Sequence, residues 1–133
     1  MHPLFAKADG LTGPILAAAI EVHCDTGPGL VESIYEWCLL REWERRQLKT
    51  TNPKFVSISS KGFVREEPLR FDVLVENCVL VEAKAVERVL PVHKAQLLSD
   101  MKLLNLPVGL LINFNESKLT AGVSRLLLPG ANL

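Results

Sequence analysis

Three features of this 133-residue chain predict an α/β fold, a single mixed β-sheet flanked by helices. Apolar residues recur at helical spacing before residue 50. Strand-like alternation follows between residues 55 and 84. A further helical stretch then precedes one last apolar run. Helix, helix, several strands, helix, strand is an order that packs as helices on a sheet. The composition, 48% hydrophobic and 23% charged, is that of an ordinary globular domain. The length is enough to bury a core without disulfide or metal staples.

The elements can be justified in order. Residues 1–10 are expected to be a flexible N-terminal tail and residues 11–133 a single domain. Thr12 is placed to cap the first helix, with Pro14 in its first turn. Ile15, Ala18, Ala19 and Val22 supply its apolar face, and the run 25–29, rich in Gly and Pro, ends it. A second helix is expected over 30–46, with Leu30, Ile34, Trp37 and Cys38 as the buried stripe and the charges around Arg41–Arg46 outside. Asn52 and Pro53 break the chain before a strand at 55–59. Lys61-Gly62 reads as a turn into a short strand near Phe63 and Val64, and a hairpin over 69–85 follows. Pro91 opens a third helix, over 92–104, whose Ala95, Leu98, Met101 and Leu104 can pack on the sheet. The run 107–114 is apolar on both faces, as a central strand would be. After a loop at 115–122, residues 125–128 suit a final edge strand.

Charge and cysteine content narrow the function classes. Fifteen basic and fifteen acidic residues leave a formal net charge of zero. A domain that grips nucleic acid by bulk charge would be strongly basic, so any such contact must be local. Cys24, Cys38 and Cys78 show no paired spacing and read as free thiols of a reducing compartment. No apolar run is long enough for a signal peptide or a membrane span. The expectation is a cytoplasmic protein with no membrane partner.

The chemistry concentrates in the hairpin. Val73 and Val75 alternate with Asp72 and Leu74; Val79, Val81 and Ala83 alternate with Leu80, Glu82 and Lys84. Successive strand side chains point to opposite faces, so the all-apolar sets share one face and Asp72, Glu82 and Lys84 the other. The register this implies sets Asp72 opposite Glu82 and Arg70 opposite Lys84. It leaves Glu76, Asn77 and Cys78 as the loop, with Asn77 suited to a left-handed position. Like charges directly opposite each other are destabilising, although diagonal pairing with Arg70 and Lys84 offers partial relief. Two carboxylates so close can share one cation, and the ammonium beside them can orient a water. The plainer reading is a solvated charged face.

Other polar residues fall into helical rows. Glu32, Tyr35 and Glu36 share a face of the second helix. There Glu32 is either a third carboxylate for a metal or a partner of the helix dipole, and Tyr35 suits packing. His93, Gln96 and Asp100 form a row on the third helix, either an exposed face or one from which Gln96 reaches the site. His23 is isolated, as structural histidines are.

Taken together, Gly29-x-x-Glu32-x-x-Tyr35, Asp72, Glu82-x-Lys84, Gln96 and Leu111-Ile112-Asn113-Phe114 resemble the GxxExxY family of the PD-(D/E)XK nuclease superfamily. The resemblance runs from about residue 11 to 128. It implies a restriction-endonuclease-like core and hydrolysis of phosphodiesters in DNA or RNA with Mg²⁺ or Mn²⁺. By that resemblance Asp72, Glu82 and Glu32 are metal ligands, Lys84 orients the attacking water, and Gln96 belongs to the catalytic set. Phe71 stands where the superfamily motif is named for Pro, Asp100 where similar sequences have Tyr, and Asn52-Pro53 where a Gln is expected. A neutral nuclease this small is expected to work as a homodimer or beside a partner protein. The alternative is a nuclease-fold module that binds a protein or nucleic acid and cleaves nothing.

Overall fold

The computed structural model describes residues 1–52, 55–68 and 72–133, with Phe55, Val56, Glu67, Pro68 and Asp72 described by backbone alone. Among the described residues, three α-helices, α1 (Phe5–Thr26), α2 (Glu32–Arg45) and α3 (Pro91–Leu104), accompany seven strands. These are β1 (Thr50–Thr51), β2 (Phe55–Ser60), β3 (Phe63–Pro68), β4 (Asp72–Val75), β5 (Val79–Lys84), β6 (Val108–Asn113) and β7 (Val123–Leu127). Five of them form a mixed sheet in the order β1-β4-β5-β6-β7, with β5 and β6 parallel and the other neighbours antiparallel. The parallel pair requires a crossover, and α3 supplies it.

The alternation read from the sequence sorts the core into two layers. Val73, Val75, Val79, Val81 and Ala83 join Leu110 and Ile112 against α1 and α2. Leu80 and Leu111, on the other face, pack under Leu97 and Met101 of α3. Strand β6 is buried at every position, as expected of a central strand covered on both sides.

Several expectations need correction. Helix α1 begins at Phe5, not near Thr12, and Ala8 is fully buried, so much of the expected tail is helix. The extra turns are held by tertiary contact: Phe5 and Leu4 pack on the core, and the His2 N–H donates to the Ala131 carbonyl at 2.9 Å. The buried stripe of α2 is Tyr35, Leu39 and Trp43, whereas Leu30, Ile34 and Trp37 are exposed. Both rows are apolar at helical spacing, and the helix turns the bulkier aromatic row inward. On α3 the buried pair is Leu97 and Met101, with Leu98 and Leu104 half-buried and Ala95 exposed.

Strands β2 and β3 pair with each other and, among the described residues, with no strand of the larger sheet. Their two-residue turn has Lys61 at φ 49° and Gly62 at φ 85°. Positive φ at both positions is what the twist of a tight hairpin favours.

Helix α3 approaches β6 closely over Gly109. A Cβ there would lie 2.5 Å from Met101 Sδ and 3.3 Å from Leu97. Gly109→Ala is expected to destabilise the fold by about 1–3 kcal/mol through overpacking. Denaturant unfolding would measure it, and an additional Met101→Ala should relieve part of the loss.

Candidate active site

The β4–β5 hairpin carries the site. Its register sets Asp72 opposite Glu82, as the alternation implies, with Val75 opposite Val79 closing the loop. Within that loop Asn77 has φ 57° and Glu76 φ 50°, so two residues adopt the left-handed form expected of Asn77 alone. Glu76 is tied to the neighbouring strand: its N–H donates to the Lys49 carbonyl and its Oε2 accepts from the Lys49 N–H, at 2.8 and 2.7 Å. Arg70, expected opposite Lys84, and Phe71 lie outside the described residues.

Glu82 is only 6% exposed because α3 covers its face of the sheet. Its Oε1 accepts from Lys84 Nζ at 3.1 Å. Its Oε2 is buried with no hydrogen-bond partner among the described residues. A buried carboxylate oxygen without a partner is costly. Burial accordingly pushes the Glu82 carboxyl above its ordinary value of 4.5. Lys84 pulls it back by charge and hydrogen bond, while the charges of Asp100 and Glu32 push it up further.

Two more carboxylates therefore act on this group. Glu32, in the first turn of α2, accepts a hydrogen bond from the Ala85 N–H at 3.3 Å, immediately beyond Lys84. Asp100 acts on Glu82 from α3. The sequence shows Asp100 only as a row-mate of His93 and a departure from related sequences; its proximity to Glu82 follows from the seating of α3. Gln96, one turn earlier, is exposed, and its side chain makes no hydrogen bond among the described residues. His93 caps α3, its Nδ1 accepting from the Leu90 N–H at 2.9 Å. His23 is structural, its Nε2 bonded to the Glu116 carbonyl at 2.8 Å.

Asn113 is a positioning residue that sequence reasoning finds only as part of a motif. Nearly inaccessible at the end of β6 and paired in register with Lys84, it accepts from the Val86 N–H at 3.1 Å and donates to the Val86 carbonyl at 2.9 Å. It thereby fixes the chain two residues after Lys84. The available signal is one amide ending an otherwise apolar strand. Asn113→Ala is expected to strip both bonds from Val86 and cost about 1–3 kcal/mol, measurable by thermal unfolding.

An ion here would meet oxygen donors, which suit Mg²⁺ or Mn²⁺, and the orphaned Oε2 of Glu82 is an acceptor such an ion would satisfy. Among the described side chains no three His, Cys, Asp or Glu converge as a metal cage. Asp72, whose side chain lies outside that set, would have to contribute.

A mixed sheet with a parallel crossover after a Glu-x-Lys strand, and an acid from an earlier helix at its end, matches a restriction-endonuclease-like core. The chain belongs to the PD-(D/E)XK nuclease superfamily, whose family model matches residues 9–126. No curated protein and no solved structure matches it. Among the described residues, no helix is long and apolar enough to cross a membrane.

Proposed function

We propose that the chain is a metal-dependent nuclease of the GxxExxY type that hydrolyses phosphodiester bonds of DNA or RNA. The observation that carries this reading is the buried Glu82 carboxylate, paired on one oxygen with Lys84, orphaned on the other and opposite Asp72 in register. A structural ion pair has no use for an orphaned oxygen; a metal ligand does.

Asp72 and Glu82 would hold a divalent ion, with Glu32 completing the acid set. When bound, the ion supplies Lewis acidity toward a phosphoryl oxygen. Lys84 donates a hydrogen bond to the water that attacks phosphorus and stabilises the negative charge that develops there. The water's proton passes to solvent or substrate oxygen as the P–O bond breaks. Glu32 and Asn113 hold Ala85 and Val86, so that Lys84 keeps its aim. Gln96, exposed beside this face, is available to the substrate.

Isothermal titration with Mn²⁺ tests the reading without knowledge of the substrate. Saturable binding by the wild type, lost in Asp72→Asn with Glu82→Gln, is the expected result. Absence of binding at millimolar Mn²⁺, with or without a short oligonucleotide present, would favour the non-catalytic module.

A further inference from the structure

A cavity of about 890 Å³ opens at the carboxyl ends of the parallel pair β5 and β6. Val86, Glu87 and Arg88 line it from the chain that leaves β5, Glu116 from the chain that leaves β6, and Leu90 and His93 from the start of α3. In sheets flanked by helices, ligands gather outside the carboxyl ends of parallel strands, and the volume is that of a small-molecule site. Val86 is two residues after Lys84, at most about 7 Å along the chain, so the cavity begins beside the hairpin site. Its walls are tied to that site. Asn113 holds Val86 by both backbone groups, and the Phe114 N–H donates to the Lys84 carbonyl at 2.8 Å. The Glu116 carbonyl is bonded to His23. A ligand seated there meets a surface already fixed relative to Lys84.

The lining offers unused donors and acceptors. The Leu90 N–H donates to His93 Nδ1, so the neutral ring carries its own proton on Nε2. That Nε2 and the Arg88 guanidinium make no hydrogen bond among the described residues, and neither do the carboxylates of Glu87 and Glu116. Leu90 and Val86 add apolar surface. One cation beside two acids does not suit a run of phosphates. It suits a single phosphate on Arg88, with carboxylates left to accept from the amine of a base, as they do from N4 of cytosine. The chain also lacks the bulk charge that grips a duplex, with fifteen basic residues against fifteen acidic. A base stacked inside a duplex is closed to such a cavity.

We infer that this cavity seats one unpaired nucleotide of a single-stranded nucleic acid beside the bond that is cut, and that it favours a base with an exocyclic amine. The inference rests on the nuclease reading above and deepens it by naming the substrate. Arg88 and the His93 Nε2–H bind the phosphate, Leu90 and Val86 support the base, and Glu87 and Glu116 read its amine.

Fluorescence anisotropy in chelator, which keeps the strands intact, tests this with short oligocytidylate and oligouridylate in deoxyribo and ribo form. The two bases differ in the N4 amine that the carboxylates would accept from. The wild type is expected to bind the cytosine strand about fivefold or more tightly than the uracil strand, and about tenfold or more tightly than the same strand in a duplex. Arg88→Gln should weaken both single strands about tenfold, the loss of a hydrogen bond to a charged group. Glu87→Ala with Glu116→Ala should abolish the preference for cytosine while uracil binding holds or tightens. If the acids merely repel nucleic acid, that variant tightens both strands equally, and the inference fails. It fails too if the wild type prefers the duplex, binds neither strand, or is unaffected by Arg88→Gln. None of these results touches the metal reading, which stands if Mn²⁺ binds the wild type and not Asp72→Asn with Glu82→Gln.

Discussion

A chain carrying Glu82→Gln and Lys84→Met together is expected to be more stable than the wild type in chelator at pH 8 and to cleave nothing. The stability half follows from the cost of the pair. Glu82 is buried on a face that it shares with Leu80 and Leu111, and one of its oxygens bonds to nothing described. Replacing both members of a buried ion pair by neutral groups of similar shape is commonly neutral or stabilising by about 1–4 kcal/mol. For a domain of this size that is a rise in melting temperature of about 3–12 °C. Lys84→Met alone should do the reverse, since it leaves the carboxylate buried without its cation.

The pH dependence has a definite sign. The folded carboxyl titrates above its ordinary value, chiefly because of burial, so the native state binds the proton more tightly than the unfolded chain. The wild type therefore gains nothing from this group at neutral pH. It is most stable, as far as Glu82 is concerned, below about pH 4.5, and loses that stability as pH rises through the raised value. The double variant should lack this loss. Calorimetry from about pH 4 to 8 in chelator checks it, and a double variant with the wild type's pH slope would remove Glu82 as the cause. The activity half is larger: removing one preorganised electrostatic contact slows an enzyme about 10²–10³-fold, and in the proposed site a metal ligand would be lost as well.

Tyr35→Ala is expected to cost about 3–5 kcal/mol, enough to threaten folding. Tyr35 is wholly buried and stacks on Phe114, ring centroids 4.5 Å apart and planes 16° from parallel. Its hydroxyl donates to the Gly27 carbonyl at 2.5 Å and accepts from the Leu30 N–H at 3.1 Å. The milder Tyr35→Phe keeps the stack and loses both bonds, at about 1–3 kcal/mol. Because those bonds fix the loop that leads into Glu32, Tyr35→Phe should also weaken Mn²⁺ binding more than an equally destabilising Gly109→Ala does. Matching the two variants by urea midpoint and comparing their metal affinities separates positioning from stability.

How much of this was legible in the sequence depended on the range of the interaction. Strand alternation is local, and it placed Asp72 opposite Glu82 and sorted the two faces of β5 correctly. Helix α2 defeated the same method because it carries two apolar rows, Leu30-Ile34-Trp37 and Tyr35-Leu39-Trp43. Only the packing of α1 and β5 against it decides which row turns inward. The start of α1 was hidden for a related reason. Gly10 and Gly13 speak for a break, and what holds residues 5–11 helical is burial of Ala8 and contact with the far end of the chain. Local spacing could put Gln96 and Asp100 on one row of α3. It could not say that Asp100 would act on Glu82 while Gln96 stayed in solvent, which depends on how α3 sits over Gly109.

The hydrogen bond from His2 to Ala131 has a topological consequence. With its ends touching, the chain is close to a closed ring, and the positions at which that ring is cut matter little to the sheet. A few added residues could join the ends, and the exposed Lys61-Gly62 turn could serve as the new opening without breaking a pairing of the five central strands. Such a ring can equally be spliced into a surface loop of another protein, entering and leaving at one point.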